Sequence, residues 1–250
     1  MPDRAERIAV WLRERVSASG TRGLIVGLSG GIDSAVVARL CQMALPQRVL
    51  GLLLPCYSHP QDEEDARLVA NEFRIPSVTV NLNTTFDALT GALHGAIHGL
   101  RTEVAVADIK QQVPEANLKP RLRMTTLYFV ANSLNYLVAG TGNRSEIALG
   151  YFTKHGDGGV DVLPIGSLLK SEVRDLARAI GVPDRIIDKP PSAGLWVGQT
   201  DEAEMGFTYN LLEEYLEHGP SAVPPAIATR IEQLRAVSEH KRALPPIGPA

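Results

Sequence analysis

Apolar residues recur at two different spacings along the first third of the chain. Ile8, Trp11, Leu12 and Val16 show the spacing of an amphipathic helix, whereas GLIVGL at 23–28 is a short apolar run of the kind that forms a buried strand. The predicted elements, in order, are a helix at 3–19, a strand at 23–28, a helix at 33–45, a strand at 49–54, a helix at 62–74 and a strand at 77–82. This alternation favours an α/β fold with a parallel sheet and right-handed crossovers.

The second part of the chain has weaker patterns. Residues 85–113 show only a faint helical period that glycines interrupt. Asn117 is a candidate cap for a helix at 118–134, with Pro120 tolerated in its first turn, and a fourth strand follows at 136–139. Further helices are predicted at 168–180, 203–216 and 227–238. Because no internal repeat or boundary is visible, we expect one domain over residues 1–250.

The long connection before the fourth strand suggests where that strand lies. Three strands wound in one direction, followed by a long crossover, suggest that strand four lies on the other side of strand one. The sheet would then be doubly wound and mostly parallel, with helices on its faces. Ligands of such sheets bind at the carboxyl ends of the strands where the winding reverses. We therefore expect the loops at 28–34 and 140–146 to face each other.

Charge and cysteine content narrow the class of protein. The chain has 25 Lys and Arg residues against 28 Asp and Glu residues, a net charge of −3, so it lacks the basic excess of a general nucleic-acid binder. Its two cysteines, Cys41 and Cys56, do not form a Cys-x-x-Cys pair. The N-terminus lacks the apolar core of a signal peptide, and no segment approaches a membrane span of about 20 apolar residues. These features predict a cytoplasmic protein with no membrane or nucleic-acid partner.

A glycine loop joins the first strand to the second helix. Its sequence is SGGIDS, from Ser29 to Ser34, and adjacent glycines let backbone N–H groups approach phosphate oxygens. It has neither the lysine of a Walker A loop nor the G-x-G-x-x-G spacing of a dinucleotide site. The alternative is a tight turn in which Ser34 caps the helix. The loop resembles the S-G-G-x-D-S signature of N-type ATP pyrophosphatases, and Asp33 beside phosphates would require a divalent cation such as Mg²⁺ between them.

The loop after the fourth strand carries a second set of polar groups. In GTGNRSE, Thr141 offers a hydroxyl, Asn143 an amide and Glu146 a carboxylate. As an alternative, GTGN also suits a simple turn and Glu146 suits the first turn of a helix.

Taken together, the motifs resemble those of NAD synthetases over residues 23–241. The shared motifs are SGGIDS (29–34), QDEEDA (61–66), RLRM (121–124), GTGNRSE (140–146), GYFTKHGDGGVDVLPI (150–165), PSAGLWVGQTDE (191–202) and HKR (240–242). The resemblance implies an adenine nucleotide α-hydrolase-like fold and an ammonia-dependent ligase. It would amidate deamido-NAD through an adenylated nicotinate, giving NAD, AMP and pyrophosphate.

The resemblance also implies roles for particular residues. The positions that match ATP-binding ones are Gly27, Leu28, Ser29, Gly30, Gly31, Ile32, Asp33, Ser34, Thr141, Lys170 and Ser192. Those that match deamido-NAD-binding ones are Arg121, Lys154, Asp161, His240 and Lys241. Asp33 and Glu146 match magnesium ligands, and a homodimer would share the deamido-NAD site. Gly194 departs from the pattern, because the family often has aspartate there.

Other interpretations are weaker. The chain could be another amidating ATP pyrophosphatase, or a nucleotide sensor without catalysis, although a sensor would give Asp33 and Glu146 no purpose. His94 and His98 have a four-residue spacing but no third zinc ligand. The acidic run at 62–65 is interpreted as solvated side chains at a helix N-terminus. Lys170, without the resemblance, would be a surface lysine.

Overall fold

The four predicted strands form one parallel sheet in the computed structural model of the protein, which describes residues 2–100, 112–191 and 200–248. The strands are β1 (Gly23–Gly27), β2 (Val49–Leu53), β3 (Ser77–Thr79) and β4 (Tyr136–Ala139), and their order across the sheet is β3-β2-β1-β4. In this register Ile25 pairs with Leu50 on one side and with Val138 on the other. The prediction that strand four lies beside strand one is confirmed.

Helices connect the strands and form the C-terminal part of the described chain. They are α1 (Pro2–Ala18), α2 (Ile32–Ala44), α3 (Pro60–Glu72), α4 (Asn83–Leu100), α5 (Gln112–Leu134), α6 (Arg144–Leu149), α7 (Lys170–Ala179), α8 (Asp184–Ile187), α9 (Asp201–Met205), α10 (Tyr209–His218), α11 (Pro225–Val237) and α12 (Glu239–Arg242). A 3₁₀ turn at Pro220–Ala222 lies between α10 and α11.

Helices cover both faces of the sheet. Side chains of a strand alternate between its faces, so Leu24 and Val26 of β1 pack in one core with residues of α1, α2 and α7. Ile25, between them, belongs to a second core that includes Phe86 of α4 and Ala131 of α5. A third core lies mainly between α10 and α11. The predicted doubly wound α/β class is therefore confirmed.

The start of α5 differs from the sequence prediction. The helix begins at Gln112 and not after Asn117, so Pro120 lies in its interior and removes one intrahelical hydrogen bond there. Asn117 does not cap the helix: its side-chain oxygen instead accepts a hydrogen bond of 2.7 Å from the hydroxyl of Thr153. The Asn117 side chain, which the local pattern assigned to a helix cap, therefore forms a tertiary hydrogen bond with the 150–160 segment.

The predicted helix at 203–216 is in fact two helices. α9 ends at Gly206, whose left-handed φ of +87° permits a sharp turn at low cost. α10 then starts anew, with the hydroxyl of Thr208 accepting from the N–H of Leu211. The interruption turns α10 toward α11 and leaves α9 beside the carboxyl edge of the sheet.

The structure shows a helix in the first part of the stretch at 85–113, where the sequence pattern was faint. α4 covers Asn83–Leu100, and the remainder of that stretch lies outside the described residues. Across the described ranges, no helix combines the length and the apolar character that crossing a bilayer requires.

Candidate active site

The loops after β1 and β4 meet at the carboxyl edge of the sheet, as predicted. Val26 and Ala139, near the ends of these strands, are register partners. Just beyond them, the amide nitrogen of Asn143 donates a 3.0 Å hydrogen bond to the carboxylate of Asp33. Two loops that are far apart in sequence therefore form one polar site at the switch point of the sheet.

Hydrogen bonds among its own residues hold the glycine loop in shape. The hydroxyl of Ser29 donates to that of Ser34 at 3.0 Å, and Ser34 donates to the carbonyl of Gly31 at 2.9 Å. The N-cap of α2 is Gly31, with no side-chain cap, so the alternative in which Ser34 caps this helix is wrong. The N-terminal N–H groups of α2 are therefore left without a side-chain cap, as an anion site at a helix N-terminus requires.

Asn143 and Glu146 form a capping box at the start of α6. The side chain of Asn143 accepts from the N–H of Glu146 at 3.0 Å, and the Glu146 carboxylate accepts from the N–H of Asn143 at 3.1 Å. Asn143 is fully buried and also contacts Asp33. The alternative prediction, which placed Glu146 in the first turn of a helix, is thus correct, and the other carboxylate oxygen of Glu146 lies 3.5 Å from the ammonium of Lys170.

Lys170 is a buried cation between the two loops. It opens α7, its side chain is only 3% exposed, and its ammonium contacts both Asp33 and Glu146. The aromatic ring of Tyr209 lies 5.3 Å from the same ammonium. The interpretation of Lys170 as a surface lysine is therefore wrong, because the tertiary fold encloses it with two carboxylates.

The charges in this site are not balanced, because two carboxylates share one ammonium. Burial and then the charge of Asp33 raise the pKa of the Glu146 carboxyl to about 8, although Lys170 and the N–H of Asn143 oppose the shift. Burial alone would lower the pKa of Lys170, but the carboxylates of Asp33 and Glu146 outweigh burial and raise it. Two ionised carboxylates would exceed the single ammonium, so the Glu146 carboxyl tends to keep its proton, and a bound cation would favour its ionised form.

Asp201, at the start of α9, adds a third acidic group near Lys170. Its carboxylate accepts hydrogen bonds from the phenols of Tyr209 at 2.9 Å and Tyr151 at 3.3 Å. Burial is the main cause that raises the pKa of Asp201. The sequence analysis gave Asp201 no role, although it lies in the shared motif PSAGLWVGQTDE (191–202), because no local pattern shows that α9 reaches the switch point.

A cavity of about 520 Å³ opens at this edge of the sheet. The glycine loop lines one side of it, and Thr141, Glu146 and Lys170 line another. Pro190, Lys189 and Lys241 also reach it. A volume of this size suits a nucleotide-sized ligand.

The five residues matched to deamido-NAD binding lie in the described ranges, and Lys241 lines the cavity whereas the other four do not. The ammonium of Lys241 donates to the carbonyl of Phe152 at 2.7 Å. Arg121 donates to the carbonyl of Lys154, whose ammonium in turn donates to the carbonyl of His240. Arg121, Lys154, His240 and Lys241 therefore form one basic cluster around the 150–154 segment, beside the cavity.

Asp161 stands apart from that cluster. Its carboxylate accepts from the phenol of Tyr128 at 2.9 Å and from the backbone N–H of Val138 at 2.7 Å. It thus joins α5 to β4. Of the remaining predicted positions, Ser192 and Gly194 lie outside the described residues.

The weaker metal interpretation at His94 finds no support in the described residues. His94 lies 2.9 Å from the carboxylate of Glu115, and the side chain of His98 is outside the description. No group of three or more potential metal-binding side chains occurs among the residues that the structure covers.

The acidic run at 62–65 is not simply solvated, which corrects the prediction. The ammonium of Lys189 contacts Asp62 at 2.8 Å and Asp65 at 2.7 Å, and Arg185 contacts the second carboxylate oxygen of Asp65 at 2.9 Å. Asp65 is only 2% exposed. The sequence analysis missed Lys189, and the KPP triplet in which it stands was the only local signal.

These features define a class of protein. The parallel sheet, the lysine-free glycine loop and the carboxylates at the switch point are those of a nucleotide-binding enzyme of the adenine nucleotide α-hydrolase-like fold.

Comparison with known proteins identifies the family. A family model described as NAD synthase matches residues 4–245. The curated NH(3)-dependent NAD(+) synthetase of Carboxydothermus hydrogenoformans is 49% identical, over 98% of this chain and 96% of its own length. That of Archaeoglobus fulgidus is 46% identical, over 97% of this chain and 94% of its own. The chain belongs to the NAD synthase family, and the resemblance seen in its motifs is confirmed.

Solved structures agree with this assignment. An NMN synthetase from Francisella tularensis is 35% identical with a TM-score of 0.90, covering 99% of this chain and 98% of that one. An NH3-dependent NAD synthetase from Campylobacter jejuni is 29% identical with a TM-score of 0.78 and the same coverage.

Proposed function

We propose that this chain amidates deamido-NAD with ammonia, consuming ATP and releasing NAD, AMP and pyrophosphate. The observation that carries the proposal is the meeting of a lysine-free glycine loop with Asp33, Glu146 and the buried Lys170. The curated relatives that match nearly the whole chain are NH(3)-dependent NAD(+) synthetases, which supports the same reaction.

ATP occupies the cavity at the switch point in this proposal. The loop from Gly27 to Ser34 surrounds the β- and γ-phosphates with backbone N–H groups, and the hydroxyl of Thr141 faces them across the cavity. The ammonium of Lys170 supplies a fixed positive charge where negative charge collects on the leaving pyrophosphate. Ser192, by its match to the family motif, adds a further ATP contact.

Magnesium fits the donor set of this site. Asp33 and Glu146 both contact one ammonium, so their carboxylates are close together, and each is 17–18% exposed. Mg²⁺ is usually held by one or two carboxylates together with phosphate oxygens and water. We therefore assign Asp33 and Glu146 as its ligands. When bound, the ion supplies charge that neutralises the phosphates.

The residues of the chain then act by binding and orientation. The carboxylate of the nicotinate ring attacks the α-phosphorus, so an acyl adenylate forms and pyrophosphate departs. Ammonia attacks the activated carbonyl carbon, AMP leaves, and the attacking nitrogen loses a proton to give the amide. No side-chain nucleophile is needed, since positioning and electrostatic stabilisation can supply most of the acceleration.

Deamido-NAD binds beside the ATP site in this scheme. The basic cluster of Arg121, Lys154, His240 and Lys241 faces its phosphates, and Asp161 contacts the same ligand. By analogy with the family, we propose a homodimer that shares this site. The exposed Phe129 on α5, which is 75% accessible, supports an apolar contact surface on that helix.

We also propose that residues 1–250 form one domain. We place the protein in the cytoplasm, since both described cysteines are free.

A second candidate substrate follows from one comparison. The Francisella tularensis structure, which matches with a TM-score of 0.90, is of an NMN synthetase. The chain could therefore amidate the deamido form of NMN by the same chemistry. Rates with the two substrates at equal concentration would decide which one it prefers.

The deciding experiment uses the purified chain with ATP, Mg²⁺, ammonium and deamido-NAD. We expect NAD, AMP and pyrophosphate in equal amounts. ADP with orthophosphate would contradict the assignment. Nucleotide binding without turnover would support the alternative of a sensor, and turnover only with a different acceptor would support another amidating ATP pyrophosphatase. Glutamine should replace ammonium poorly, as expected for a relative of NH(3)-dependent enzymes.

A further inference from the structure

Lys189 borders the cavity and joins the glycine loop to α3. Its ammonium donates to the backbone carbonyl of Gly30 at 3.3 Å, as well as to the carboxylates of Asp62 at 2.8 Å and Asp65 at 2.7 Å. An ammonium has three N–H donors, so these three acceptors use its full capacity. These three hydrogen bonds hold the Lys189 ammonium against the loop and α3, although its side chain is 26% exposed.

The acceptors of Lys189 are themselves held firmly. Asp65 is 2% exposed, and Arg185 binds its other carboxylate oxygen. The carboxylate thus stands between two cations, which orient it. Within the part of the chain that the structure describes, Arg185 forms ion pairs with Glu64 and Asp65 and makes no hydrogen bond to the glycine loop, whereas Lys189 does. The two cations therefore share Asp65 but differ in their contact with the loop.

Gly30 is packed tightly against the first turn of α3. Its φ is +76°, and a Cβ atom at this position would lie 2.3 Å from the backbone oxygen of Asp62. Only glycine combines this backbone conformation with this close approach. The α3 backbone and the Lys189 side chain therefore both contact the loop at Gly30.

The carbonyl of Gly30 shares a peptide plane with the N–H of Gly31. In a trans peptide these two groups point in opposite directions, and the described chain contains no cis peptide bonds. When Lys189 holds the carbonyl, the N–H is directed the opposite way. There it donates a long hydrogen bond of 3.3 Å to the hydroxyl oxygen of Ser29, and both Ser29 and Gly31 line the cavity, where a phosphate oxygen would be a competing acceptor.

We propose that Lys189 is a positioning residue that aims the Gly31 N–H at the ATP phosphates by holding the Gly30 carbonyl. Hydrogen bonding to a cation also polarises the peptide, which makes its N–H a stronger donor. This inference rests on the proposed ATP site, and it assigns a role to a residue outside the loop, which acts through the Gly30 carbonyl although it also borders the cavity.

The test compares Lys189→Met with a matched control, Arg185→Gln. Both substitutions remove one cation from Asp65, but only the first releases the Gly30 carbonyl. Loss of one charge-assisted hydrogen bond in a phosphate site should raise the KM for ATP by about tenfold in Lys189→Met. The KM for deamido-NAD should stay within about twofold, and Arg185→Gln should leave both constants within about twofold. Lys189→Arg should restore most of the ATP affinity, since a guanidinium can reach the same acceptors.

A second measurement separates positioning from direct contact with ATP. The ¹H–¹⁵N resonance of Gly31 is recorded without nucleotide for the wild type and both variants. We expect it to shift in Lys189→Met and to stay in place in Arg185→Gln. If Lys189→Met does not fold, Lys189→Gln, which keeps a polar group at this 26% exposed side chain, is measured in the same way.

The possible results are distinct. An unchanged KM for ATP, an equal effect in Arg185→Gln, or a raised KM with an unshifted Gly31 resonance would each overturn the inference. The last result would mean direct contact of Lys189 with ATP. Failure of the wild type to form AMP and pyrophosphate would instead contradict the proposed function, and the apo resonance would still test the role of Lys189.

Discussion

Two lysines contact the glycine loop, Lys170 at Asp33 and Lys189 at Gly30, each with a pair of carboxylates, and the two clusters differ in which group is buried. Lys170 is 3% exposed while its partners Asp33 and Glu146 are 17–18% exposed. In the second cluster Lys189 is 26% exposed and its partner Asp65 is 2% exposed. In the first cluster the carboxylates of Asp33 and Glu146 line the cavity, whereas in the second cluster the carboxylate of Asp65 is buried in the protein.

The charge balance follows the same division. One ammonium serves two carboxylates around Lys170, and the surplus of negative charge helps to raise the pKa of Glu146 to about 8. Around Asp65, Lys189 and Arg185 supply two cations for Asp62 and Asp65. An unbalanced cluster can accept a metal ion or a developing charge, whereas a balanced one mainly stabilises structure. Substitutions in the two clusters should therefore have different consequences.

The largest expected effect is that of Lys170→Met on turnover. This change removes the fixed positive charge next to the proposed pyrophosphate, and kcat should fall by roughly 10³-fold. Because the loss is in kcat, the rate should stay low even at saturating concentrations of ATP and deamido-NAD. Initial rates at saturation check this prediction, with circular dichroism to confirm folding. A kcat within tenfold of the wild type would remove Lys170 from the reacting centre.

Asp33→Asn should come next. The amide keeps the shape of the side chain but loses the charge that would bind Mg²⁺, so kcat should fall by on the order of 10²-fold. Higher Mg²⁺ concentration should recover part of the activity. Turnover is measured against Mg²⁺ concentration for the variant and the wild type. A normal kcat with an unshifted magnesium requirement would show that Asp33 is not a ligand.

Asp65→Asn should lower stability more than chemistry. The change removes the charge from a buried group that two cations contact, so the free energy of unfolding should fall by about 2 kcal/mol. The matched control is Asp62→Asn, whose side chain is 29% exposed and should cost less than about 1 kcal/mol. Urea unfolding of the two variants measures the difference. Equal losses would mean that burial does not distinguish the two carboxylates.

Glu146→Gln should change the pH dependence of stability in the metal-free protein. The pKa of this carboxyl is about 8 in the folded chain against an ordinary 4.5, so the folded chain keeps a proton that the unfolded chain releases between these values. The free energy of unfolding of the wild type should therefore fall as pH rises from about 4.5 to 8. Glutamine keeps the capping-box hydrogen bonds and cannot ionise.

The two proteins should accordingly diverge with pH. Relative to the wild type, Glu146→Gln should gain on the order of 3 kcal/mol between pH 5 and pH 8. Urea unfolding in the presence of EDTA measures this gain. A constant difference across this range would contradict the raised pKa and, with it, the excess of negative charge around Lys170.

Local pattern was enough to predict most of the framework. The apolar runs gave all four strands to within three residues at their ends, and the long crossover indicated that β4 lies next to β1. Prediction from local pattern failed where tertiary contacts compete with local conformational preference. Gly206 splits the predicted helix at 203–216, and Asn117 bonds to Thr153 in place of capping α5.

What the sequence determined by itself was the identity of the groups and the order of the elements. Residue type and spacing specify a glycine loop without lysine, an acidic Glu146 suited to the first turn of a helix, and an alternation of strand and helix, because each depends on neighbours within a few residues. Only the tertiary structure decided which lysine is buried and what it contacts. Lys170 reaches Asp33 across 137 positions and Lys189 reaches Gly30 across 159, and such contacts depend on how the strands and helices pack. Burial lowers the local dielectric constant and so strengthens the interactions between charges. The electrostatic difference between the two clusters therefore exists only in the folded chain.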